Sequence, residues 1–431
     1  MLAAGFDTSF QPKDKNNIAP RIGFAYAFDE KTVIRGGYGL FYARTPSILT
    51  GTAHSQNGIQ VIALDINCVT SPALCPTYPN VFAAPPTGAT LAPINLYLFS
   101  QNYQQPFTQQ ARLQFEREVF KNTTFSVQYT LFKGQDLTRT RNANLSAPVS
   151  TTVAVFNGTV ATGETFTFQR FSNPRLIPTF QRISLFESTA RSLYQGLSFE
   201  FNRRFSNRLQ FNTSYTLSNA KDNKPDQTSV VPGGGDDAKI AQNQFDLSGE
   251  YGRSDLDVRH RFIFSPVYET GTFKYSENKF VRALLSDYVL TGIFTAQSGL
   301  AYSALVSGDP NADGITSTDR VPGTERNQFS TPATYQVDLR VGRIIRFGER
   351  YRLSLFAEGF NIFNRSNVQS VNNTLYAFSN AGTVSGVALP IRLSTAATNF
   401  GTPRTFVSGS PSFTFNSSYN REFQLGIRFD F

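Results

Sequence analysis

The sequence predicts an all-β fold, and three observations support this prediction. The chain of 431 residues contains 41 Phe and 18 Tyr but no Trp and one Met, a composition that favours strands over helices. Many segments alternate apolar and polar residues, as strands with two different faces do. The connections between these segments are alternately short and long.

The alternating segments number about eleven, and most of them are joined in pairs by short turns. The clearest pairs are "RIGFAYAF" with "TVIRGGYGLFY" across "DEK", "FTQQARLQFEREVF" with "TTFSVQYTLF" across "KN", "LYQGLSFEFNRRF" with "RLQFNTSYTL" across "SN", and "YQVDLRVGRIIRF" with "YRLSLFAEGFNIF" across "GER". Each pair predicts a tight antiparallel hairpin.

The long connections are rich in Gly, Pro, Ser, Thr and Asn, and they cover residues 43–105, 135–190, 220–256, 303–334 and 365–420. Connections of this length are uncommon in compact soluble domains. Short turns at one end and long loops at the other are typical of a transmembrane antiparallel β-barrel. One connection at the short-turn end, "TGTFKYSENKFVRALLSD", is longer, and we expect a helical turn at "VRALL".

The last strand, "REFQLGIRFDF", shows the two faces that a barrel needs. Phe423, Leu425 and Ile427 fall on one face, whereas Gln424 and Arg428 fall on the other. In a barrel the apolar face contacts lipid and the polar face lines the lumen. A soluble β-sandwich also alternates, but its loops are shorter. No run of about 18 apolar residues predicts a membrane-spanning helix.

About eleven strands is an odd number, whereas single-chain bacterial barrels have even numbers. The N-terminal stretch "MLAAGFDTSFQPKDKNN" also lacks the pattern of a signal peptide. We therefore expect residues 1–431 to be the C-terminal part of a larger barrel.

Five stretches resemble one family as a set: "KNNIAPRIGFAYAFDEKTVIRGGYGLFYAR", "SDLDVRHRFIFSPVYE", "LTGIFTAQSGLAYS", "FAEGFNIFNRSN" and "REFQLGIRFDF". They resemble the Oar-like barrel region of TonB-dependent outer-membrane receptors. The resemblance implies a 22-stranded barrel, of which this chain holds about eleven C-terminal strands, with an N-terminal plug and a TonB-contacting segment that this sequence lacks.

The implied function is energy-coupled uptake of an unidentified extracellular ligand through the bacterial outer membrane. The implied partners are the TonB complex, reached through the missing N-terminal segment, and outer-membrane lipid with lipopolysaccharide. The alternative is a passive outer-membrane pore or an adhesion or structural barrel, and the sequence upstream of Met1 would separate the two hypotheses.

The net charge of +9 does not predict a nucleic-acid partner, because the arginines are scattered singly rather than along one stripe. We expect six charged residues to line the lumen: Arg259, Arg261, Arg340, Glu358, Arg428 and Asp430. They would form charge ladders between neighbouring strands, with direct substrate contact as the alternative.

Cys68 and Cys75 are the two cysteines, and both lie in the Pro-rich stretch "INCVTSPALC". No His cluster is near enough in sequence to complete a zinc site. A local disulfide in an oxidising compartment is the preferred interpretation, and a pair of free thiols is the alternative.

The stretch "DPNADGITSTDR" resembles the first half of a calcium-binding loop. Asp309, Asn311 and Asp313 occupy alternate positions before Gly314, which would allow oxygen ligands at positions 1, 3 and 5 of such a loop. The second half departs from the pattern, because position twelve is Arg320, and Asp319 comes one place early. A calcium site is one interpretation, and a solvated hydrogen-bonded turn is the other.

Catalysis has little support, so we expect that the chain is not an enzyme. The chain has two histidines: His54 lies in a long connection and His260 alternates with apolar residues. A hydrolase at the barrel rim, built from Asp255, Asp257 and His260, is a third hypothesis that requires these groups to converge on one proton.

Overall fold

The computed structural model describes residues 6–7, 10–56, 72, 75, 79, 94–171, 175–223, 240–271, 275, 277–316, 318–348, 350–407 and 421–431. The strands of the first half are β1 (Arg21–Asp29), β2 (Thr32–Tyr42), β3 (Ile94–Phe99), β4 (Phe107–Phe120), β5 (Thr123–Asn142), β6 (Val149–Asn157), β7 (Val160–Arg170), β8 (Phe180–Ser206) and β9 (Leu209–Asp222). Those of the second half are β10 (Gly252–Arg253), β11 (His260–Glu269), β12 (Tyr288–Gln297), β13 (Ala301–Tyr302), β14 (Leu305–Ser307), β15 (Phe329–Ser330), β16 (Thr334–Phe347), β17 (Tyr351–Phe360), β18 (Val368–Val371), β19 (Thr374–Ser379), β20 (Gly382–Val384), β21 (Val387–Leu389), β22 (Arg392–Ser394), β23 (Pro403–Phe406) and β24 (Glu422–Asp430). The helices are α1 (Ser47–Ser55), α2 (Lys279–Leu285) and a 3₁₀ turn, Ser248–Glu250.

The main sheet is an antiparallel meander. Its order is β1-β2-β4-β5-β8-β9-β11-β12-β16-β17-β24, and β3 and β10 pair with β8 and β9 off this path. The predicted all-β antiparallel fold is therefore confirmed, and the eleven strands of the path agree with the number expected from the sequence. A total of 22 strands stays a prediction.

Short turns fix the register of the predicted hairpins. Between β8 and β9, Asn207 and Arg208 have φ values of 50° and 65°. Two consecutive residues with positive φ form a type I′ turn, whose twist matches that of the flanking strands. Residues on both sides of the turn then pair in register, for example Phe201 with Thr213.

The two faces of the sheet differ in chemistry along neighbouring strands. Val127 lies opposite Phe115 and Phe199, whereas the next residue, Gln128, lies opposite Gln114 and Ser198. In the last strand Leu425 and Ile427 are 82% and 76% exposed. An exposed apolar face of this kind suits contact with lipid.

The sheet has two open edges within the described residues. β1 pairs with β2 and β24 pairs with β17, and neither has a second neighbour among the described strands. All nine residues of β1 are exposed. Edge strands leave a row of backbone N–H and C=O groups without partners.

The long connections are folded. Strands from three of them form a five-stranded sheet in the order β14-β19-β22-β6-β7, which we call the loop cap. These connections leave the main sheet at one end, after β5, β12 and β17. The loop cap has its own core, in which Val153, Val306 and Leu393 are at most 1% exposed.

The helices are short and locally determined. α2 contains the turn expected at "VRALL", and Asn278 caps it by accepting hydrogen bonds from the N–H groups of Phe280 and Val281. α1 packs Leu49 and Ala53 into a cluster with Phe186. No helix within the described ranges is long and apolar enough to cross a membrane.

Candidate functional site

On the polar face of the main sheet, an ion pair between neighbouring strands joins two of the residues that were predicted to line the lumen. Arg340 lies directly opposite Glu358 on neighbouring strands, with 3.1 Å between Nη1 and Oε1. The Arg340 guanidinium also lies 4.1 Å from the centroid of the Phe356 ring. This pair joins β16 to β17 as a charge ladder would.

The other predicted lumen residues lie at different places on the sheet. Arg261 is in register with Thr216 and Gln297, so it shares their polar face. Arg428 and Asp430 pair within β24 at 2.8 Å. Arg259 precedes β11, and its Nη2 lies 3.5 Å from Asp257. Contact of any of these residues with a substrate stays a prediction.

A cavity of about 690 Å³, which we call the wall cavity, lies on the polar face of the main sheet near the edge formed by β1. Gln110, Arg112, Gln128 and Thr130 contribute polar groups to its lining, and Phe132 and Tyr194 contribute aromatic rings. The two rings stack with centroids 5.9 Å apart. A cavity of this volume, lined by both polar groups and aromatic rings, could accommodate a small ligand.

A buried group of charges joins the loop cap connections to the ends of the main sheet. We call Asp222, Glu250, Arg320 and Arg326 the charged junction. Arg326 Nη1 donates to Asp222 Oδ1 at 2.6 Å and to the carbonyl oxygen of Glu250 at 3.1 Å. Arg320 donates to both carboxylate oxygens of Glu250, at 3.1 and 2.8 Å.

The charged junction is satisfied electrostatically. Burial alone would raise the pKa of Glu250, but the guanidiniums of Arg320 and Arg139 hold it below its ordinary value. Arg326 is 5% exposed and Asp222 is 1% exposed. Sequence reasoning missed this junction, because its members lie far apart in the chain and follow no period.

The residues of the hypothetical rim hydrolase have separate partners. Asp257 is fully buried and accepts from Arg253 Nε at 2.7 Å and from the Ala220 N–H at 2.7 Å. His260 shares a 2.9 Å hydrogen bond with the Tyr215 hydroxyl. These interactions give Asp257 and His260 different surroundings, and no hydrogen bond joins them among the described residues.

The acidic loop predicted from "DPNADGITSTDR" is a tight turn that contacts two other connections. Asp309 accepts from the N–H groups of Asp313 and Gly314, both at 3.0 Å. The Phe171 N–H donates to the Asn311 carbonyl at 2.7 Å. Asn311 Nδ2 donates to the Gln242 carbonyl at 3.1 Å.

Two sequence predictions about small sites remain predictions. Cys68 lies outside the described residues, so the predicted disulfide to Cys75 has no structural account here. Within the described part of the chain, no three side chains of His, Cys, Asp or Glu come together as a metal cage. A calcium site would therefore have to use fewer carboxylates, together with neutral oxygen atoms.

Comparison with known families identifies the class of protein. Residues 2–325 match the family model described as "Outer membrane beta barrel domain". This match covers well over half of the chain, and the chain belongs to this family. Its location is accordingly the bacterial outer membrane. A comparison with curated proteins found no match.

Solved structures with a similar arrangement include outer-membrane transporters and receptors. The outer membrane transporter YddB from Escherichia coli is 10% identical, with a TM-score of 0.46, over 96% of this chain and 40% of that one. BauA, the ferric preacinetobactin receptor from Acinetobacter baumannii, is 10% identical, with a TM-score of 0.39, over 96% and 36%. The siderophore receptor PirA from Acinetobacter baumannii is 11% identical, with a TM-score of 0.41, over 81% and 37%. The chain thus spans 36–40% of the length of these three structures.

Proposed function

We propose that this chain forms barrel wall and outer loops of a TonB-dependent receptor, which imports a ligand with energy supplied from the inner membrane. The sequence resemblance to Oar-like receptor barrels supports this proposal. The single structural observation that carries it is the loop cap. Short turns face the periplasm and long connections face the outside in outer-membrane barrels, so the cap would face the ligand.

The loop cap is built as a folded surface. Its core residues Val153, Val306 and Leu393 are almost fully buried, and the ion pair between Arg326 and Asp222 fixes the neighbouring connections to the main sheet. Burial of three such side chains contributes roughly 1.5–3 kcal/mol each. A preformed surface binds with less ordering cost than mobile loops do, which suits a receptor.

The open edges of the main sheet support the second part of the proposal, a larger barrel. In hydrocarbon each backbone group without a partner costs several kcal/mol, so β1 and β24 need further neighbours in the membrane. Further strands, to a total of about 22, would complete a barrel wide enough to hold a plug. The lumen residues Arg340 and Glu358 would then contact the plug.

Energy dependence distinguishes the proposed receptor from a passive pore. The protein is produced as its gene encodes it, in host cells with and without a functional TonB complex, and depletion of medium components is followed by mass spectrometry. We expect at least one compound whose depletion requires both this protein and TonB. As a control, liposomes containing the purified protein are tested for swelling in arabinose and stachyose. Swelling, together with depletion that does not need TonB, would contradict the receptor and support a passive pore.

A further inference from the structure

The acidic turn contains carboxylate oxygens that the protein itself leaves unsatisfied. Asp319 is fully buried, and neither of its carboxylate oxygens has a hydrogen-bond partner among the described residues. Asp313 is 1% exposed, and its Oδ2 is likewise without a partner in that part of the chain. Buried polar groups are nearly always hydrogen-bonded, so three such oxygens in one turn require an explanation.

The carboxylates of the turn repel one another electrostatically, since the charges of Asp313 and Asp309 both disfavour a negative charge on Asp319. Buried carboxylates that repel each other and are poorly solvated destabilise the turn unless a positive charge compensates them. Thr318, next to Asp319 in sequence, also has a buried hydroxyl oxygen without a partner in the described residues.

Nearby guanidiniums offset part of the negative charge, since Arg182 acts on Asp313 and Arg320 acts on Asp319, but their described hydrogen bonds go to other groups. Arg320 is bonded through two nitrogens to Glu250 in the charged junction. Arg175 and Arg182 donate to the carbonyl oxygens of Ala312 and Gly314, each at 3.4 Å. These contacts hold the backbone of the turn, and they leave Oδ2 of Asp313 and both carboxylate oxygens of Asp319 without a hydrogen-bond partner among the described residues.

The turn backbone is already shaped for oxygen ligation. Asp309 and Asn311 accept hydrogen bonds from the N–H of Asp313, each at 3.0 Å, and Gly314 has a φ of 89° that brings the chain around sharply. The Asp313 Oδ1 accepts from the Ile315 N–H at 2.7 Å, which orients the carboxylate and leaves Oδ2 free. Hard divalent cations, calcium in particular, prefer carboxylate, carbonyl and hydroxyl oxygens in such irregular loops.

We propose that Asp313 and Asp319 bind a calcium ion in this turn, and that the ion fixes the turn to the neighbouring outer connections. Both oxygens of Asp319 and Oδ2 of Asp313 are the anionic ligands, so two carboxylates neutralise the divalent charge. Carbonyl oxygens of the turn and water complete the coordination. Since the turn is bonded to Phe171 and Gln242, the ion would hold three connections together. The site is independent of the proposed transport function.

The test uses calcium itself and the purified, full protein in detergent. Isothermal titration after chelation should show one site, with a Kd of roughly 0.1–1 mM, as in extracellular calcium modules. Limited proteolysis in excess calcium should protect the outer connections relative to a buffer with EGTA. The variants are Asp319→Asn and Asp313→Asn, with Asp246→Asn as the control, because Asp246 is an exposed carboxylate elsewhere in the loops.

The change in protease resistance caused by Asp319→Asn distinguishes a metal ligand from a carboxylate that only stabilises the fold. Asp319→Asn removes a buried charge without changing shape, so in EGTA its loops should be at least as resistant as those of the wild type. Calcium should give the Asp319→Asn variant no additional protection from proteolysis, and the heat of calcium binding should fall at least tenfold relative to the wild type. Asp246→Asn should behave as the wild type. Absence of calcium binding by the wild type, or equal binding by Asp319→Asn, would overturn the proposal.

Discussion

Substitution of adjacent residues in β5 by arginine should have very different consequences for assembly. Val127 lies on the apolar row with Phe115 and Phe199, and Gln128 lies on the polar row with Gln114 and Ser198. We expect Val127→Arg to impair folding into the membrane strongly, and Gln128→Arg to have little effect. The two positions lie only about 3.4 Å apart along the strand, so a difference between the two variants in folded fraction reports mainly which face each residue occupies.

The expected free-energy cost of Val127→Arg depends on how deep residue 127 lies in the membrane. Val127 is the fifth residue of β5, so it lies about 14 Å along the strand from the turn at roughly 3.4 Å per residue. A tilt of about 40° places it roughly 10 Å into an apolar band about 25 Å tall, which is near the midplane. Arginine on the lipid face costs about 2–4 kcal/mol there. This cost corresponds to a 30-fold to several-hundred-fold loss in the folding equilibrium, at about 1.4 kcal/mol for each factor of ten.

The expected cost at Gln128 is much smaller. Its Nε2 donates to Thr130 at 3.0 Å, and its side chain borders the wall cavity, which has room for a longer side chain. The nearby Arg112 adds a like charge in a hydrated setting, which costs within about 1 kcal/mol.

The assay uses the full protein as its gene encodes it, refolded into lipid vesicles, and measures the fraction that is heat-modifiable on gels. Val127→Leu serves as a control, because it changes volume but keeps the apolar character. Equal folded fractions for Val127→Arg and Gln128→Arg would refute the assignment of the two faces.

Four further predictions concern the junction, the cap, the lumen pair and the cysteines. Asp222→Asn should remove the 2.6 Å ion pair of the buried Arg326 and leave its longer one, at 3.7 Å, to Asp255, at a cost of up to about 3–5 kcal/mol, and should speed proteolysis of the outer connections while the barrel stays heat-modifiable; unchanged proteolysis would contradict the role of the junction. Leu393→Ala should destabilise the loop cap by about 2–5 kcal/mol, measured by the same proteolysis, whereas the exposed Val387→Ala should not. Glu358→Gln should change stability by no more than about 1 kcal/mol in urea unfolding, because the Arg340 side chain is 48% exposed; a larger change would indicate a lumen drier than we infer. Cys68 and Cys75 should resist maleimide labelling under non-reducing conditions, and their small ring should add about 2–3 kcal/mol at most; labelling of both would exclude the disulfide.

Local signals explain why the main sheet could be predicted from the sequence. The stretch "FTQQARLQFEREVF" corresponds to the whole of β4, Phe107–Phe120. The alternation with a period of two specifies the strand β4. The turn at Lys121 and Asn122 follows it directly and specifies its partner, β5. The antiparallel pairing of adjacent strands then needs no long-range information.

Long-range pairing explains what the sequence did not reveal. The residues of β8 before Leu193 pair partly in parallel with β3, and Leu305 in the loop cap pairs in parallel with Thr374. Such partners are distant in the chain and leave no local pattern, so alternation of residue types does not predict the strands of the loop cap. The charged junction could not be predicted from the sequence for the same reason, because Arg326 and Asp222 are 104 residues apart. The acidic turn was recognisable because its oxygen-bearing residues lie within one short segment.

The central claim is that the loop cap faces the outside of the cell while the short turns face the periplasm. Cysteine accessibility in intact cells tests this most directly. Thr383 is an exposed residue of β20, within the long connection that follows β17, and Lys121 lies in the turn between β4 and β5. A membrane-impermeant maleimide should label Thr383→Cys in intact cells, and it should label Lys121→Cys only after the outer membrane is permeabilised. Labelling of Lys121→Cys but not Thr383→Cys in intact cells would contradict the account.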